Sequence, residues 1–374
     1  MYKKYLLVSF ATLLLAACNT NDEENDSDNN AADSEEEQTL VASAAYPPTD
    51  GSVETFSIPL LESVEEEHSH LTFDTFTGGE LFGADESLNA LESNSIAIDM
   101  VLSPTLDNSQ FPYSSVIALP LLESNAEIGA KAVQYIMESD AEIADGKTYY
   151  ELEFEDKNLF VLPIHPTETY MISTSGTRLD DVDNFKSSVR IRVSSNVHEE
   201  FINQLGLTGV TLPATEIYDG LSRGSLDGVL MNIPDWGPYS IDEITEFTIS
   251  GTSIGHFPVF FAMNQDTWDS FSDDVQDTFL SKADELITEG PQIYMDQAEE
   301  ISASYEEEGG EFVHYDDLDS EVQDLIDEAI VNTWTSFIED LDSRGHSGME
   351  IALLWRDAIV DSGGTVPEEI MELE

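Results

Sequence analysis

From Thr39 onward the chain alternates short apolar runs with stretches whose apolar residues recur every three or four positions. A period of two, or a brief continuous apolar run, marks a strand, whereas the longer period marks one buried face of a helix. Strands are predicted at Thr39 to Ala44, His70 to Phe76, Ile96 to Leu102, Leu159 to Ile164, Arg190 to Val193, Gly228 to Asn232, Ile244 to Ile249 and Pro258 to Asn264. Helices are predicted at Leu60 to His68, Asp85 to Ser93, Ala126 to Glu138, Glu199 to Leu205 and Glu216 to Ser222. Such alternation predicts an α/β fold on parallel or mixed sheets. About 335 residues exceed one ordinary core, so two lobes are expected. After Ser272 a helical pattern reaches Tyr305, and Gly290-Pro291 is expected to interrupt and kink it.

The first residues follow a different pattern. Lys3 and Lys4 precede an apolar run from Leu6 to Leu14, and Leu15-Ala16-Ala17-Cys18 has the shape of a lipoprotein cleavage site. Residues 1–17 are therefore expected to be a signal peptide, with Cys18, the chain's single cysteine, as the lipidation site. Residues 18–38 are expected to be a disordered tether, because nine of the twenty residues from Asn19 to Gln38 are Asp or Glu and none is basic or aromatic. No other apolar run is long enough for a membrane-spanning helix.

Composition adds an environment. The chain carries 77 acidic and 13 basic residues, a formal charge of −64, and loss of residues 1–17 removes two lysines and leaves −66. A hydrophobic content of 41% supports a folded core, so the acidity belongs to the surface. At molar ionic strength the Debye length falls to about 3 Å and such a surface no longer repels itself at range. A halophilic, extracytoplasmic protein is expected. Nucleic acid is excluded as a partner, since phosphate binding needs a basic patch.

Against that background the strand VRIRV, Val189 to Val193, stands out. Val189, Ile191 and Val193 form its apolar face, and Arg190 and Arg192 occupy the other. Only six arginines occur in the chain, and Arg178, Arg190, Arg192 and Arg223 fall within 46 residues. Ion pairs with neighbouring acids account for arginines in so acidic a chain, and are the expectation for Arg178, Arg190 and Arg223.

Downstream of VRIRV, QLGLTGVTLPATEIYDGLSRGSLDGVLMNIPDW resembles the signature region of the solute-binding proteins of tripartite ATP-independent periplasmic (TRAP) transporters, the DctP family. FTGGELFGADESLNALESNSIAIDMV, FPYSSVIALPLLESN and FFAMNQDTWDSFSDDVQDTFLSKADE resemble three further blocks of that family, in the same order. The resemblance implies a two-lobed periplasmic-binding-protein-like fold with crossover strands and a long C-terminal helix spanning the lobes. Lobe I is expected at 39–169 with 258–297, and lobe II at 170–257 with 298–374.

It also implies a function. Arg192 matches the family position whose guanidinium grips the ligand carboxylate, for which a planar fork of donors is suited and a lysine is not. Met231, Asn232 and Trp236 match the ligand-facing strand end, although Met231 and Trp236 are equally suited to a core. Met231 stands where sugar-acid binders of the family carry asparagine, and no second arginine lies near Ile172, so a monocarboxylate or an aromatic or keto acid is favoured. His165 and Ser103 are further candidates for polar ligand contacts. The expected partners are a small organic-acid anion and the membrane permease subunits of a sodium-coupled TRAP transporter. No cofactor, metal site or catalytic residue is expected, and His68-x-His70 is read as a surface turn. A stand-alone chemosensory receptor is the alternative. A more distant one is a serine hydrolase, since Gly251-Thr252-Ser253-Ile254-Gly255 satisfies G-x-S-x-G with His314 or His346 to complete a triad. The β-rich HFPVFFAMN that follows opposes it, because a nucleophile elbow leads into a helix.

The charge yields a first prediction. Thermal melts should show stability falling steeply as salt is lowered from molar to about 0.1 M, where like-charge repulsion becomes long-ranged. A midpoint independent of salt would remove the halophilic reading.

Overall fold

The computed structural model describes residues 37–374. The expected signal peptide, Cys18 and residues 18–36 of the tether lie outside the described residues. Gln38, assigned to the tether from sequence, instead opens the first strand.

Eleven strands form two sheets. The first takes β1 (Gln38–Ser43), β2 (Leu71–Phe76), β3 (Ile98–Leu102), β4 (Leu159–Pro163) and β10 (Phe260–Asn264) in the order β2-β1-β3-β10-β4. The second takes β5 (Met171–Thr174), β6 (Arg190–Val193), β7 (Thr208–Thr211), β8 (Gly228–Met231), β9 (Phe247–Ser250) and β11 (Glu311–His314) in the order β11-β9-β5-β8-β6-β7. Both are mixed: β10 runs antiparallel to β3 and β4, and β5 antiparallel to β8 and β9. Central strands β3, β8 and β10 are buried throughout, which is why their sequences read as continuous apolar runs rather than alternating ones. The result is the two-lobed α/β fold expected.

The chain passes between the sheets after β4 and again after β9. These two crossing segments are bonded to each other. Ile164 N donates to Val259 O at 3.3 Å, Tyr170 N to Gly255 O at 3.2 Å, and Ile254 N to Tyr170 O at 3.3 Å. Side chains reinforce the pairing, with Phe257 N donating to Thr167 Oγ1 at 3.0 Å.

A third connection is the 35-residue helix Asp273–Glu307, about 50 Å long at 1.5 Å per residue. Ser272 caps it by accepting from Val275 N, and Asp273 and Asp274 complement the positive end of its dipole. Near its start Phe279 meets the rings of Phe73, Phe261, Trp268 and Phe271 from the first lobe. At its end Tyr305 meets Trp236 and Phe312 of the second. The helix therefore spans both lobes.

Two sequence expectations are corrected. Gly290 and Pro291 do not interrupt this helix, which runs through them. Tertiary contacts override the propensity: a Cβ on Gly290 would lie 2.1 Å from His165 Cδ2, so the glycine is the slot into which the crossover histidine fits. Residues 298–374 were also assigned wholly to lobe II. Helix Ser320–Ser343 does pack on Asn196–Gln204, but helix Gly348–Asp361 packs on Ala126–Glu138 of the first lobe. Trp334 Nε1 donates to Pro120 O at 2.7 Å, and Glu123 and Thr365 form a backbone bridge. The C-terminal segment thus ties to both lobes.

Alanine at a helix-interior glycine ordinarily stabilises. Gly290→Ala should instead destabilise by about 1 to 3 kcal/mol, because the His165 ring is held in place and cannot yield cheaply. Denaturant melts read this directly, and a variant as stable as the parent would show that the ring is free to move.

Candidate ligand-binding cleft

Strand β6 delivers Arg192. Its apolar neighbours Ile191 and Val193 are buried on the other face, so alternation turns Arg190 and Arg192 the same way. Arg190, at the strand's start, pairs with Asp227 through Nε at 3.0 Å. Arg178 pairs with Asp180 and Glu311, Arg223 with Asp219, Arg344 with Asp340, and Arg356 with Asp357. Arg192 differs from all five. It is 4% exposed, its Nε donates to Leu212 O at 2.8 Å, and no acid among the described residues forms an ion pair with it. Burial lowers its pKa, opposed by Tyr170, Tyr239, Tyr46 and Asp235 in that order, and the guanidinium stays charged.

Arg192 borders a cavity of about 480 Å³. The first lobe contributes Tyr46, Asp50 and Val101, the crossing segments Thr167, Tyr170 and Phe257, and the second lobe Met231, Asp235 and Tyr239. Asp50 opens the helical segment after β1, accepting from Ser52 N at 3.1 Å. Asp235 follows β8 and is gripped by Asn232, whose Nδ2 donates to Asp235 Oδ2 at 2.6 Å and whose Oδ1 accepts from Asp235 N at 3.2 Å. Burial raises the pKa of both carboxyls, and Asp235 raises that of Asp50 further.

The six residues singled out from sequence occupy three settings. Arg192 and Met231 line the cavity. Ser103 and Asn232 stand one layer behind, each holding a lining residue: Ser103 Oγ hydrogen-bonds Tyr46 Oη at 2.7 Å, and Asn232 orients Asp235. His165 and Trp236 do not reach the cavity. His165 is wedged between Thr55, whose Oγ1 lies 2.8 Å from its Nε2, and the Tyr294 ring, and burial lowers its pKa to about 4, so it is neutral. Trp236 is fully buried against Tyr305 and Phe312. Sequence reasoning missed Asp50, Asp235 and the tyrosines. Asp50 carried one signal, a helix-capping Asp-Gly-Ser, but nothing in it points to a ligand.

Ser253, the candidate nucleophile, accepts from Ser124 N at 3.0 Å and lies in an extended crossing segment that leads into β10, not into a helix. No histidine among the described residues bonds it. His68 Nε2 is 2.8 Å from Thr278 Oγ1, and among the described residues no three metal-binding side chains gather.

Residues 47–338 match the model of bacterial extracellular solute-binding protein family 7, DctP. The chain belongs to this family. A curated relative of this family 7 protein, the ectoine-binding periplasmic protein TeaA of Halomonas elongata, is 23% identical over 239 residues, 63% of this chain. That match spans 66% of TeaA, a little under two thirds of its length. Among solved structures, a marine metagenome TRAP solute-binding protein specific for aromatic acid ligands, in complex with metahydroxyphenylacetate, superposes with a TM-score of 0.76 at 17% identity, covering 87% of this chain and 99% of that one. A TRAP solute-binding protein from Rhodoferax ferrireducens T118, in complex with copurified benzoate, superposes with a TM-score of 0.74 at 16% identity, covering 87% and 98%. At these identities the superpositions speak for the fold. The family is one of extracellular transport receptors, not of enzymes, and among the described residues no helix is long and apolar enough to cross a membrane.

The placement of Trp236 in this family 7 protein gives a prediction. Trp236→Phe should lower stability by about 1 to 3 kcal/mol while leaving ligand affinity within a small factor. A large affinity loss in a variant of unchanged stability would return Trp236 to the cleft.

Proposed function

We propose that this family 7 protein is the lipid-anchored receptor of a TRAP transporter, capturing a small carboxylate-bearing solute at Arg192 for sodium-coupled uptake by the membrane permease. The observation that carries the reading is the isolation of Arg192. A guanidinium taken out of water without a partner is costly, and 77 carboxylates were available to pair with it. Its free donors face a cavity of about 480 Å³, of the size that holds a small organic molecule. A ligand carboxylate supplies the missing anion through two parallel hydrogen bonds. Relatives that bind metahydroxyphenylacetate and benzoate support a carboxylate ligand, and the ectoine-binding relative supports a small organic solute. Anchoring through Cys18 and delivery to a permease complete the proposal. A permease gene beside this one separates it from a stand-alone chemosensory role.

Native mass spectrometry of protein purified without refolding should recover the ligand from the closed cleft. With that ligand, Arg192→Ala should weaken binding by about 2 to 5 kcal/mol, because the ligand carboxylate is left buried and unpaired. Arg192→Lys should recover only part of this, lacking the fork. Calorimetry showing Arg192→Ala within threefold of the parent would overturn the assignment of the cleft.

A further inference from the structure

The cavity gathers more carboxyl groups than one guanidinium can balance. Asp50 is 7% exposed and Asp235 is 8% exposed, and both line the same cavity as Arg192. They come from opposite lobes, Asp50 from the turn after β1 and Asp235 from the turn after β8. Among the described residues no lysine or histidine borders the cavity, and a third carboxylate, Asp85, stands exposed at its rim. Asp50 accepts from Ser52 N at 3.1 Å and is also held by Val53 N and the Ser52 side chain, whereas Asp235 accepts from Asn232 Nδ2 at 2.6 Å.

The charge count discriminates between ligand classes. With both acids ionised, one guanidinium faces two carboxylates. A simple anion makes that one against three, and the cleft is then neutral only with both acids protonated. A solute bearing a carboxylate and a cationic group adds no net charge, and brings a partner for the carboxylates as well as for Arg192. Low-dielectric surroundings make such matching decisive, because buried unpaired charges are the costly ones. Tyr46, Tyr170 and Tyr239 also line the cavity, and aromatic rings suit an alkylated ammonium.

Building on the reading of a carboxylate at Arg192, we propose that the ligand is a zwitterion whose cationic group sits against Asp50 and Asp235. The raised pKa of both acids agrees: burial and mutual repulsion call for either a proton or a cation between them. The other titratable groups facing the pair are Arg192, Tyr46, Tyr170, Tyr239 and Tyr294, and the four tyrosines are neutral well into the alkaline range.

Two pairs of near-isosteric probes test the charge and nothing else. Glycine betaine and 3,3-dimethylbutanoate differ by nitrogen for carbon, as do N-methylnicotinate and 3-methylbenzoate. In the full folded protein at high salt, calorimetry should find the zwitterion of a binding pair roughly tenfold or more tighter than its anion. Asp235→Asn and Asp50→Asn should each shrink that ratio toward one. Titrations in buffers of different ionisation enthalpy add a readout that needs no variant: the anion should take up protons on binding, and the zwitterion should take up fewer or release them. An anion that binds as tightly as its zwitterion, with no proton uptake, overturns this inference and leaves the Arg192 reading intact. Failure of all four probes to bind at millimolar concentration counts against a carboxylate-gripping cleft itself, and the inference falls with it.

Discussion

A buried guanidinium with no ion pair among the described residues is an unusual thing to find in a protein with 77 carboxylates, and the arrangement around Arg192 shows what it takes to keep one. The strand β6 is paired on both sides, by β7 and β8, so its backbone cannot drift to bring Arg192 to a surface acid. Nε is pinned by Leu212 O, which fixes the plane of the fork. Asp235, which lines the same cavity, is hydrogen-bonded to Asn232 instead. Each of these details withholds a partner from the guanidinium, and the lobes, the crossing segments and the second layer of Ser103 and Asn232 all serve the cavity that results.

How the lobes are joined follows from the same need for a cleft that is shaped yet able to admit a solute. Two crossing segments bonded to each other make a narrow ribbon, and the helix Asp273–Glu307 braces it across both lobes. The brace bears on the ribbon at His165, which fills the space that a side chain on Gly290 would take and also meets the Tyr294 ring. A neutral, buried histidine bonded to Thr55 suits that mechanical task, since a charged one would need a partner there.

Much of this was legible from sequence, and what was not has identifiable causes. Ala126–Glu138 and Arg190–Val193 appear with the bounds their periodicity predicts, because each carries a full, uninterrupted pattern. Strands β5, β7 and β11 were missed because MIST, TGVT and EFVH neither alternate as the equally short β6 does nor carry more than two apolar residues. Arg192 was conspicuous because positive charge is scarce in this chain. Asp50 and Asp235 were invisible for the opposite reason, as two acids among 77. Trp236 and His165 show a third limit: an aromatic or polar residue next to a ligand-facing strand end has the same sequence signature whether it faces the cavity or the core behind it, and only packing decides.

The two charge problems of this protein, one on its surface and one in its cleft, have a common solution if the solute is neutral overall. A chain of net charge −64 repels an anion over a distance set by the ionic strength. Salt relieves that repulsion outside, but it cannot enter a closed cavity to relieve the carboxylates inside. An anion would therefore meet a barrier that salt lowers and then a second that salt leaves untouched. A zwitterion feels the surface field only as a dipole, and inside the cleft its two ends replace the missing partners of Arg192 and of the Asp50 and Asp235 pair together. The field of so acidic a chain thus bears on which solute the cleft can hold, because charge inside a buried cleft must be neutralised there and not by salt outside.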